Sequence, residues 1–205
     1  RDPSYRRGMR DAYYADGSVQ IYNGDALEVM RSMPAESVDI VVTSPPYNMG
    51  LTPGGNGRGM YGHKTQRASR FTNTGYDGGS DAMPADEYEA FLRDGLVEMW
   101  RIARLAVWWN HRPRIIHGEL RDPLDGAFPI GRPLQRIILS RPTGIDVNLR
   151  HFTTRQEHLY LFAKPDFRLV DHATSGMGDV WPTPLPPKGE HPAPFDISVP
   201  RRCIA

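Results

Sequence analysis

The segment from Thr43 to Asn48 (Thr-Ser-Pro-Pro-Tyr-Asn) combines the residue types in this chain that are best suited to chemistry. Two successive prolines fix two φ angles and remove two N–H donors, and the residue before each proline is held in an extended conformation. We therefore expect a stiff turn that leaves carbonyl groups and the Ser44 hydroxyl unpaired beside the ring of Tyr47.

Such a turn could bind a planar base that carries an exocyclic amine. The amine would donate hydrogen bonds to the Ser44 side chain and to the Pro45 carbonyl, while the base stacks on Tyr47. These bonds would raise the electron density on the amine nitrogen and expose its lone pair. The alternative is a rigid turn with no ligand, which a Pro-Pro pair alone would favour but the six residues together, after a buried strand, do not.

The elements that must position the turn form an α/β pattern. The run Val38–Thr43 is rich in β-branched residues and is typical of a parallel strand buried on both faces. Ligands of open α/β sheets bind at the carboxyl ends of such strands. Residues 19–23 alternate like a short strand, and residues 25–32 have near-helical apolar spacing that Pro34 ends. We interpret this strand, helix and strand as a βαβ unit of a doubly wound sheet.

Further along the chain, the pattern predicts one long helix and three more strands. Pro84 and the acids after it suit a first helical turn, and apolar spacing continues the helix to about Ala103. The strands are predicted at residues 105–109, 134–140 and 157–163, with residues 110–133 mostly as loop. After Lys164, repeated prolines argue against long helices and central strands.

The composition indicates one domain over residues 1–205. The chain is 39% hydrophobic and 24% charged, which suits a single globular unit of this length. No apolar run approaches the roughly 20 residues that span a bilayer, so we expect no membrane segment. The single cysteine, Cys203, excludes a disulfide framework and favours a reducing cytoplasm. Because His63, His111, His151 and His158 lie at no metal-ligand spacing, we predict no metal site.

Together with these elements, the motif resembles that of the amino-group DNA methyltransferases, which make N6-methyladenine or N4-methylcytosine. Their catalytic motif has the form Asp/Ser/Asn-Pro-Pro-Tyr/Phe and stands here as Ser44-Pro45-Pro46-Tyr47. Gly24-Asp25 resembles the family's Gly-Asp segment near the cofactor. Residues 191–195 with 199–202 resemble the segment that flanks the S-adenosylmethionine pocket. Supporting similarity lies at residues 110–114, 143–148, 152–165 and 179–181.

The resemblance implies an α/β fold, the Rossmann-like sheet of an S-adenosylmethionine-dependent methyltransferase. The motif order is that of the permuted subgroup, in which the catalytic motif precedes the cofactor region. That subgroup should continue into a motif of the form Asp-Pro-Phe-x-Gly-x-Gly-Thr, which does not appear before Ala205. We therefore expect the sheet to be incomplete at its C-terminus. Residues 101–106 also lack the family's Pro-Gly-Gly-like turn between helix and strand.

The resemblance also assigns roles to individual residues. It implies catalysis by Ser44, Pro45, Pro46 and Tyr47, and contact with the cofactor by Asp25, Thr43, His191, Pro192, Ala193 and Phe195. Residues 49–82 would form a mobile loop that contacts DNA phosphates and closes over a flipped base, using Arg58, His63, Lys64, Arg67 and Arg70. The Pro/Gly-rich residues 165–190 would recognise the target. Two alternatives stay open: the loop is merely solvated, and Asp25 only caps a helix.

We therefore hypothesise a site-specific DNA methyltransferase that transfers a methyl group from S-adenosyl-L-methionine to a flipped cytosine (N4) or adenine (N6), as in restriction-modification. Ser44 in the first motif position leans toward N4-cytosine. Double-stranded DNA would be the partner, and a homodimer or a second chain could supply the absent motif. The alternatives are a catalytically inactive DNA-binding remnant, one subunit of a split methyltransferase, and a piece of a longer protein.

Overall fold

The computed structural model describes residues 12–48, 83–116, 118–142, 150–184 and 196–204. The helices are α1 (Ala26–Ser32), α2 (Ala85–Ile102), α3 (His172–Ser175) and α4 (Ser198–Ile204), with a 3₁₀ turn at Pro123–Gly126. The strands are β1 (Tyr14–Ala15), β2 (Gln20–Ile21), β3 (Val38–Thr43), β4 (Ala103–His111), β5 (Arg114–Ile116), β6 (Glu119–Arg121), β7 (Gln135–Ser140), β8 (Gln156–Ala163) and β9 (Val180–Pro182). No helix among these residues is both long and apolar enough to span a bilayer.

A mixed five-stranded sheet with the order β3-β4-β8-β7-β9 forms the centre of the described structure. Strands β3 and β4 are parallel and are connected through α2, which makes them the βαβ unit of the fold. Strand β8 is antiparallel to both β4 and β7, and β7 is parallel to β9. The predicted α/β class is confirmed, although β8 makes the sheet mixed.

The predicted βαβ unit over residues 19–43 is wrong in its first strand. Within the described ranges, β2 pairs with β1 alone, in a separate two-stranded sheet. The Asp16 carboxylate accepts hydrogen bonds from the backbone N–H groups of Ser18 and Val19, both at 2.7 Å. This side chain closes a tight turn, so residues 14–21 form a hairpin instead of contributing a strand to the large sheet.

Strand β3 has its predicted bounds but a different position in the sheet. Among the described residues it hydrogen-bonds only to β4 and stands at the sheet edge. Its apolar side chains, Ile40, Val41 and Val42, are half-buried and not enclosed on both faces. The expectation of a central strand therefore does not hold for the part of the chain described here.

The long helix and two of the strands confirm their predictions. Helix α2 covers 18 residues, and β4 begins directly after it at Ala103, as the absence of a turn motif there indicates. Strands β7 and β8 lie within one residue of their predicted bounds. The interval predicted as loop, residues 110–133, instead contains the end of β4, the β5–β6 hairpin and the 3₁₀ turn.

Two apolar clusters cover the two faces of the sheet, because side chains of a strand alternate between its faces. On one face, Leu96 of α2 packs with Val107 and Trp109 of β4. On the other face, Trp108 packs with Trp181 of β9 and with α4. Each fully buried side chain of this size contributes about 1.5–3 kcal/mol relative to exposure. Both tryptophans of β4, Trp108 and Trp109, are thus core residues.

The helix α1 is fixed at both ends. The Asp25 carboxylate accepts a hydrogen bond from the Glu28 N–H at 3.0 Å, which caps the N-terminus. The Arg101 guanidinium of α2 donates to the carbonyls of Met30 and Met33, at 2.6 and 2.8 Å. The Met33 carbonyl belongs to the C-terminal cap of α1, where backbone partners are lacking, and the Met30 carbonyl also accepts the Met33 N–H at 2.9 Å. Arg101 therefore joins the last turn of α2 to the C-terminal end of α1.

Candidate active site at the carboxyl edge of the sheet

The predicted catalytic turn lies where three strands bring their ends together. β3 ends at Thr43, which pairs with Trp109 near the end of β4. Because β8 runs antiparallel to β4, its beginning lies at the same edge, with His158 opposite His111. The turn after Thr43 therefore meets polar side chains from the last residues of β4 and the first residues of β8.

A cluster of hydrogen bonds joins the turn to these strand ends. The Ser44 Oγ lies 3.0 Å from the Tyr47 hydroxyl oxygen and 3.2 Å from Asn110 Oδ1. The Tyr47 hydroxyl donates to Asn110 Oδ1 at 2.6 Å and lies 3.3 Å from Glu157 Oε2. The expectation of an unpaired Ser44 hydroxyl is therefore wrong. The turn folds back on the sheet edge, and this directs Ser44 and Tyr47 to the same amide oxygen.

The Asn110 side chain is fully buried and has one defined orientation. Its Nδ2 donates to the His158 carbonyl at 3.1 Å. A carbonyl oxygen can only accept, so this bond assigns the amide nitrogen to that side. The amide oxygen must then face the two hydroxyls of the turn.

Glu157 places a carboxylate beneath the turn. Only 6% of its side chain is exposed, and Arg141 Nη2 contacts its Oε1 at 2.7 Å. A buried charge requires such a partner. Burial, and then the negative charge of Glu157, raise the pKa of Tyr47 well above its usual value. Tyr47 therefore keeps its proton and acts as a hydrogen-bond donor rather than as a base.

The backbone carbonyls of the turn are also held. The Tyr88 hydroxyl donates to the Pro46 carbonyl at 2.8 Å. Arg114 Nη1 donates to the carbonyls of Tyr47 and Asn48, at 3.3 and 3.2 Å. No residue within the described ranges donates to the carbonyl of Pro45. Free carbonyls were expected throughout the turn. Within the described ranges this holds for Pro45 and is wrong for Pro46, Tyr47 and Asn48.

Asn48 ends the turn and binds it to the backbone of Met83. Its φ of 53° lies in the left-handed region, which asparagine tolerates better than most residues. Its side chain accepts from the Met83 N–H at 2.6 Å and donates to the Met83 carbonyl at 2.9 Å. These two bonds fix the turn against the residue that precedes α2 and its cap.

His111 is a buried neutral histidine of the site wall. Burial lowers its pKa to about 4, and its ring centroid lies 4.9 Å from that of Tyr47. Its Nδ1 lies 2.9 Å from the Arg112 carbonyl, so Nδ1 carries the proton. Its Nε2 is then an acceptor, 2.7 Å from the Tyr88 hydroxyl oxygen, whose single proton lies between Nε2 and the Pro46 carbonyl. Within the described ranges, no group of three or more His, Cys, Asp or Glu residues is arranged to hold a metal ion.

The predicted site residues are only partly described. Thr43 joins the four residues of the catalytic motif at the sheet edge, and Asp25 caps α1. The other predicted cofactor residues, His191, Pro192, Ala193 and Phe195, lie outside the described residues. So do the predicted DNA-binding residues Arg58, His63, Lys64, Arg67 and Arg70, with the rest of residues 49–82.

Sequence reasoning missed the supporting residues of the turn. Asn110 and Glu157 each carried a signal, because each is a polar residue next to the apolar run of a strand, at the end that meets the turn. Tyr88 carried none, since its position suits the apolar face of α2 equally well. Arg114 lies in the family-like segment 110–114, which assigned it no role, and Arg141 lies in a polar stretch where nothing in the sequence distinguishes it.

Comparison in sequence gives methyltransferases. No family model matches the chain. It is 28% identical over 158 residues to the Type II methyltransferase M.BglII of Bacillus subtilis, covering 73% of this chain and 36% of that protein. It is 44% identical over 45 residues to the Type II methyltransferase M.ScaI of Streptomyces caespitosus, covering 22% of this chain and 15% of that protein. The DNA adenine methyltransferase YhdJ of Escherichia coli K12 is 40% identical over 45 residues, with the same two coverages. The chain thus spans little more than a third of the length of M.BglII and less of the other two.

Comparison of structures gives the same class of protein. A candidate DNA modification methylase of Thermus thermophilus, TTHA0409, superposes with a TM-score of 0.52 at 20% identity, covering 88% of this chain and 71% of that one. The cytosine-N4-specific PvuII DNA methyltransferase gives a TM-score of 0.54 at 14% identity, covering 90% and 68%. At these identities the superpositions establish the fold. The sequence matches and the shared fold confirm the resemblance: this chain is similar in sequence to the Type II DNA methyltransferases and has the fold of the DNA methylases it superposes on.

Proposed function

We propose that this chain carries the catalytic site of a site-specific DNA methyltransferase that acts on an exocyclic amine. One observation carries the proposal: the Ser44 hydroxyl and the Pro45 carbonyl belong to consecutive residues of the turn at the carboxyl edge of the sheet. The hydroxyl is oriented by Tyr47 and Asn110, and no residue in the described ranges donates to the carbonyl. Two oxygen acceptors at one place suit an NH₂ group, which has two protons to donate.

The protein's own groups would act by positioning. Ser44 and Pro45 would hold the two amine protons, which increases electron density on the nitrogen and directs its lone pair away from the turn. The gain comes from fixed orientation and from acceptors that need no rearrangement. No covalent enzyme intermediate is required, which agrees with the cysteine: Cys203 is buried in the core, and burial raises the pKa of its thiol to about 12.

S-adenosylmethionine would supply an electrophilic methyl group on a sulfonium sulfur. Asp25 and Thr43 are the described residues proposed to hold this cofactor. The Asp25 carboxylate uses Oδ1 to cap α1, and a carboxylate has about four acceptor positions. Its remaining capacity fits a donor group of the cofactor, so capping and cofactor binding are compatible.

The proposal is tested by incubating the protein with S-adenosylmethionine and unmodified double-stranded DNA. Nucleoside mass spectrometry should detect N4-methylcytosine or N6-methyladenine, and the product decides between the two bases. Ser44→Ala should reduce the rate about 100-fold, the scale of losing one preorganised hydrogen-bond partner. Ser18→Ala, at an exposed serine of the β1–β2 hairpin, is the matched control and should leave the rate unchanged. Absence of both modified bases with the wild-type protein would contradict the proposal.

The partners follow from the same proposal. Double-stranded DNA would be the substrate, with the arginines and Lys64 of residues 49–82 on its phosphates. A homodimer or a second chain on the cofactor side is the assembly proposed, and the cytoplasm is the site of action proposed. Light scattering with and without DNA measures the assembly. A protein that stays monomeric with and without DNA and binds S-adenosylmethionine equally well in both conditions would contradict the proposed partner on the cofactor side.

A further inference from the structure

The hydrogen bonds behind the catalytic turn have a defined direction. Asn110 Oδ1 and the Glu157 carboxylate can only accept, and both lie within hydrogen-bond reach of the Tyr47 hydroxyl. The Tyr47 proton must therefore point toward them, away from Ser44. The Tyr47 oxygen then presents its lone pair to Ser44 Oγ, 3.0 Å away.

This direction determines what Ser44 can offer to a substrate. The Ser44 hydroxyl has one proton, and its two neighbours, the Tyr47 oxygen and Asn110 Oδ1, are both acceptors on the protein side. With the proton drawn inward, the lone pairs of Ser44 Oγ remain for the cleft. A group that donates, such as an amine, is then bound, whereas a carbonyl at the same ring position meets only acceptors.

We propose that Glu157 is a positioning residue that acts through the Tyr47 hydroxyl to make Ser44 an acceptor toward the substrate amine. The inference rests on the proposed function. Glu157 is suited to this role because one carboxylate oxygen is held by Arg141 at 2.7 Å while the other faces Tyr47. Its side chain is nearly enclosed, so water does not replace it.

Glu157→Gln tests the direction, because the guanidinium of Arg141 offers only N–H donors. The new amide must turn its oxygen to Arg141, which leaves its NH₂ group facing Tyr47. The NH₂ group would compete with Ser44 for the Tyr47 oxygen and leave Asn110 Oδ1, 3.2 Å away, as the acceptor that draws the Ser44 proton inward. The orientation of the Ser44 hydroxyl would then be less well fixed. In NMR spectra, the new side-chain NH₂ protons should show nuclear Overhauser effects to the Tyr47 ring. An amide oxygen that faces Tyr47 instead would overturn the inference.

The kinetic expectation separates positioning from general stability. Glu157→Gln should lower kcat about tenfold, the worth of one hydrogen bond, and leave KM for DNA unchanged because Glu157 lies beneath the turn. Glu157→Asp keeps the acceptors on a shorter side chain and should retain more activity than Glu157→Gln. Glu119→Gln, at an exposed glutamate paired with Arg121, is the control and should not change kcat.

The outcomes distinguish this inference from the proposed function. An active wild-type protein whose Glu157→Gln variant matches Glu119→Gln in kcat would overturn the role of Glu157 and leave methyl transfer intact. A wild-type protein without activity would refute the function, and the NMR contact would still decide the hydrogen-bond direction. If Glu157→Gln does not fold, Glu157→Asp decides. Glu157→Asp is then measured in the wild-type protein and in a Tyr47→Phe variant. A kcat that falls only in the wild-type background supports action through the Tyr47 hydroxyl. Equal losses of kcat in both backgrounds overturn it.

Discussion

Two glutamate–arginine pairs of this protein have nearly the same length and different consequences. Glu157 and Arg141 are 2.7 Å apart at the catalytic turn, with 6% of the glutamate side chain exposed. Glu119 and Arg121 are 2.6 Å apart on the β5–β6 hairpin, with 67% of the glutamate exposed. Water screens the second pair, so it contributes about 0–1 kcal/mol. The first pair holds a carboxylate where only protein groups can satisfy it.

The same contrast holds for whole regions. At the carboxyl edge of the sheet, each polar group serves several neighbours, so one change affects the entire turn. On the β1–β2 hairpin, Tyr14 donates to Asp16 at 2.9 Å in an exposed position, where water can replace either partner. Burial therefore decides which of two similar hydrogen bonds matters for the fold and for the site.

The largest expected effect on stability distinguishes the buried Tyr88 from the exposed Tyr14. Tyr88→Phe removes the single hydroxyl proton that the half-buried Pro46 carbonyl and the buried His111 Nε2 share, which leaves both acceptors without it. The free energy of unfolding should fall by about 3 kcal/mol, since each unsatisfied buried group costs about 1–3 kcal/mol. Urea denaturation measures this loss. Tyr14→Phe is the exposed counterpart and should change stability by less than about 0.5 kcal/mol; equal losses for the two variants would break the comparison.

The next effect is a pH dependence of stability. Burial lowers the pKa of His111 from 6.5 to about 4, and burial also lowers the pKa of His158. Between pH 6.5 and 4 the unfolded chain therefore binds a proton that the folded chain does not, so stability decreases as the pH falls. His111 alone should account for about 2 kcal/mol between pH 7 and pH 5.

Denaturation curves at several pH values check this dependence. His111→Gln keeps an acceptor for Tyr88 and should reduce the slope of stability against pH. His172→Gln, on the exposed helix α3, should keep the wild-type slope. A wild-type slope in His111→Gln would show that another group titrates in this range.

The smallest effect concerns the stability of the two glutamate variants. Glu157→Gln should cost about 1 kcal/mol, less than the 3–5 kcal/mol of breaking a fully buried pair, because Arg141 is partly exposed and the amide still accepts one bond. Glu119→Gln should stay within about 0.5 kcal/mol. Thermal unfolding of both variants measures the difference, and a larger loss for Glu119→Gln would reverse the comparison.

Local signals account for the parts of the fold that sequence reasoning predicted. The apolar spacing of α2, the β-branched run of β3 and the apolar run of β8 each act within one element. The error at β2 shows the limit of local signals. A two-residue strand makes too few contacts to determine which sheet it joins, and the turn held by Asp16 pairs it with β1. The β5–β6 hairpin was missed for the same reason, since its strands have three residues each.

The site divides in the same way. The sequence predicted the motif Ser44-Pro45-Pro46-Tyr47 because its polar groups and its two rigid prolines are consecutive along the chain. Tyr88 was not, because it lies 42 residues from the Pro46 carbonyl that it contacts. Glu157 lies 110 residues from Tyr47, so only the antiparallel return of β8 brings it to the turn.

The sequence by itself determined the stiff turn after β3, the α/β class and the similarity to DNA methyltransferases, because these depend on residues that are neighbours along the chain. The tertiary structure alone decided the direction of the hydrogen bonds at that turn. That direction depends on which atoms of Asn110 and Glu157 face Tyr47, and hence on the packing of β4 against β8. A hydroxyl can donate or accept, and only its surroundings select one of the two.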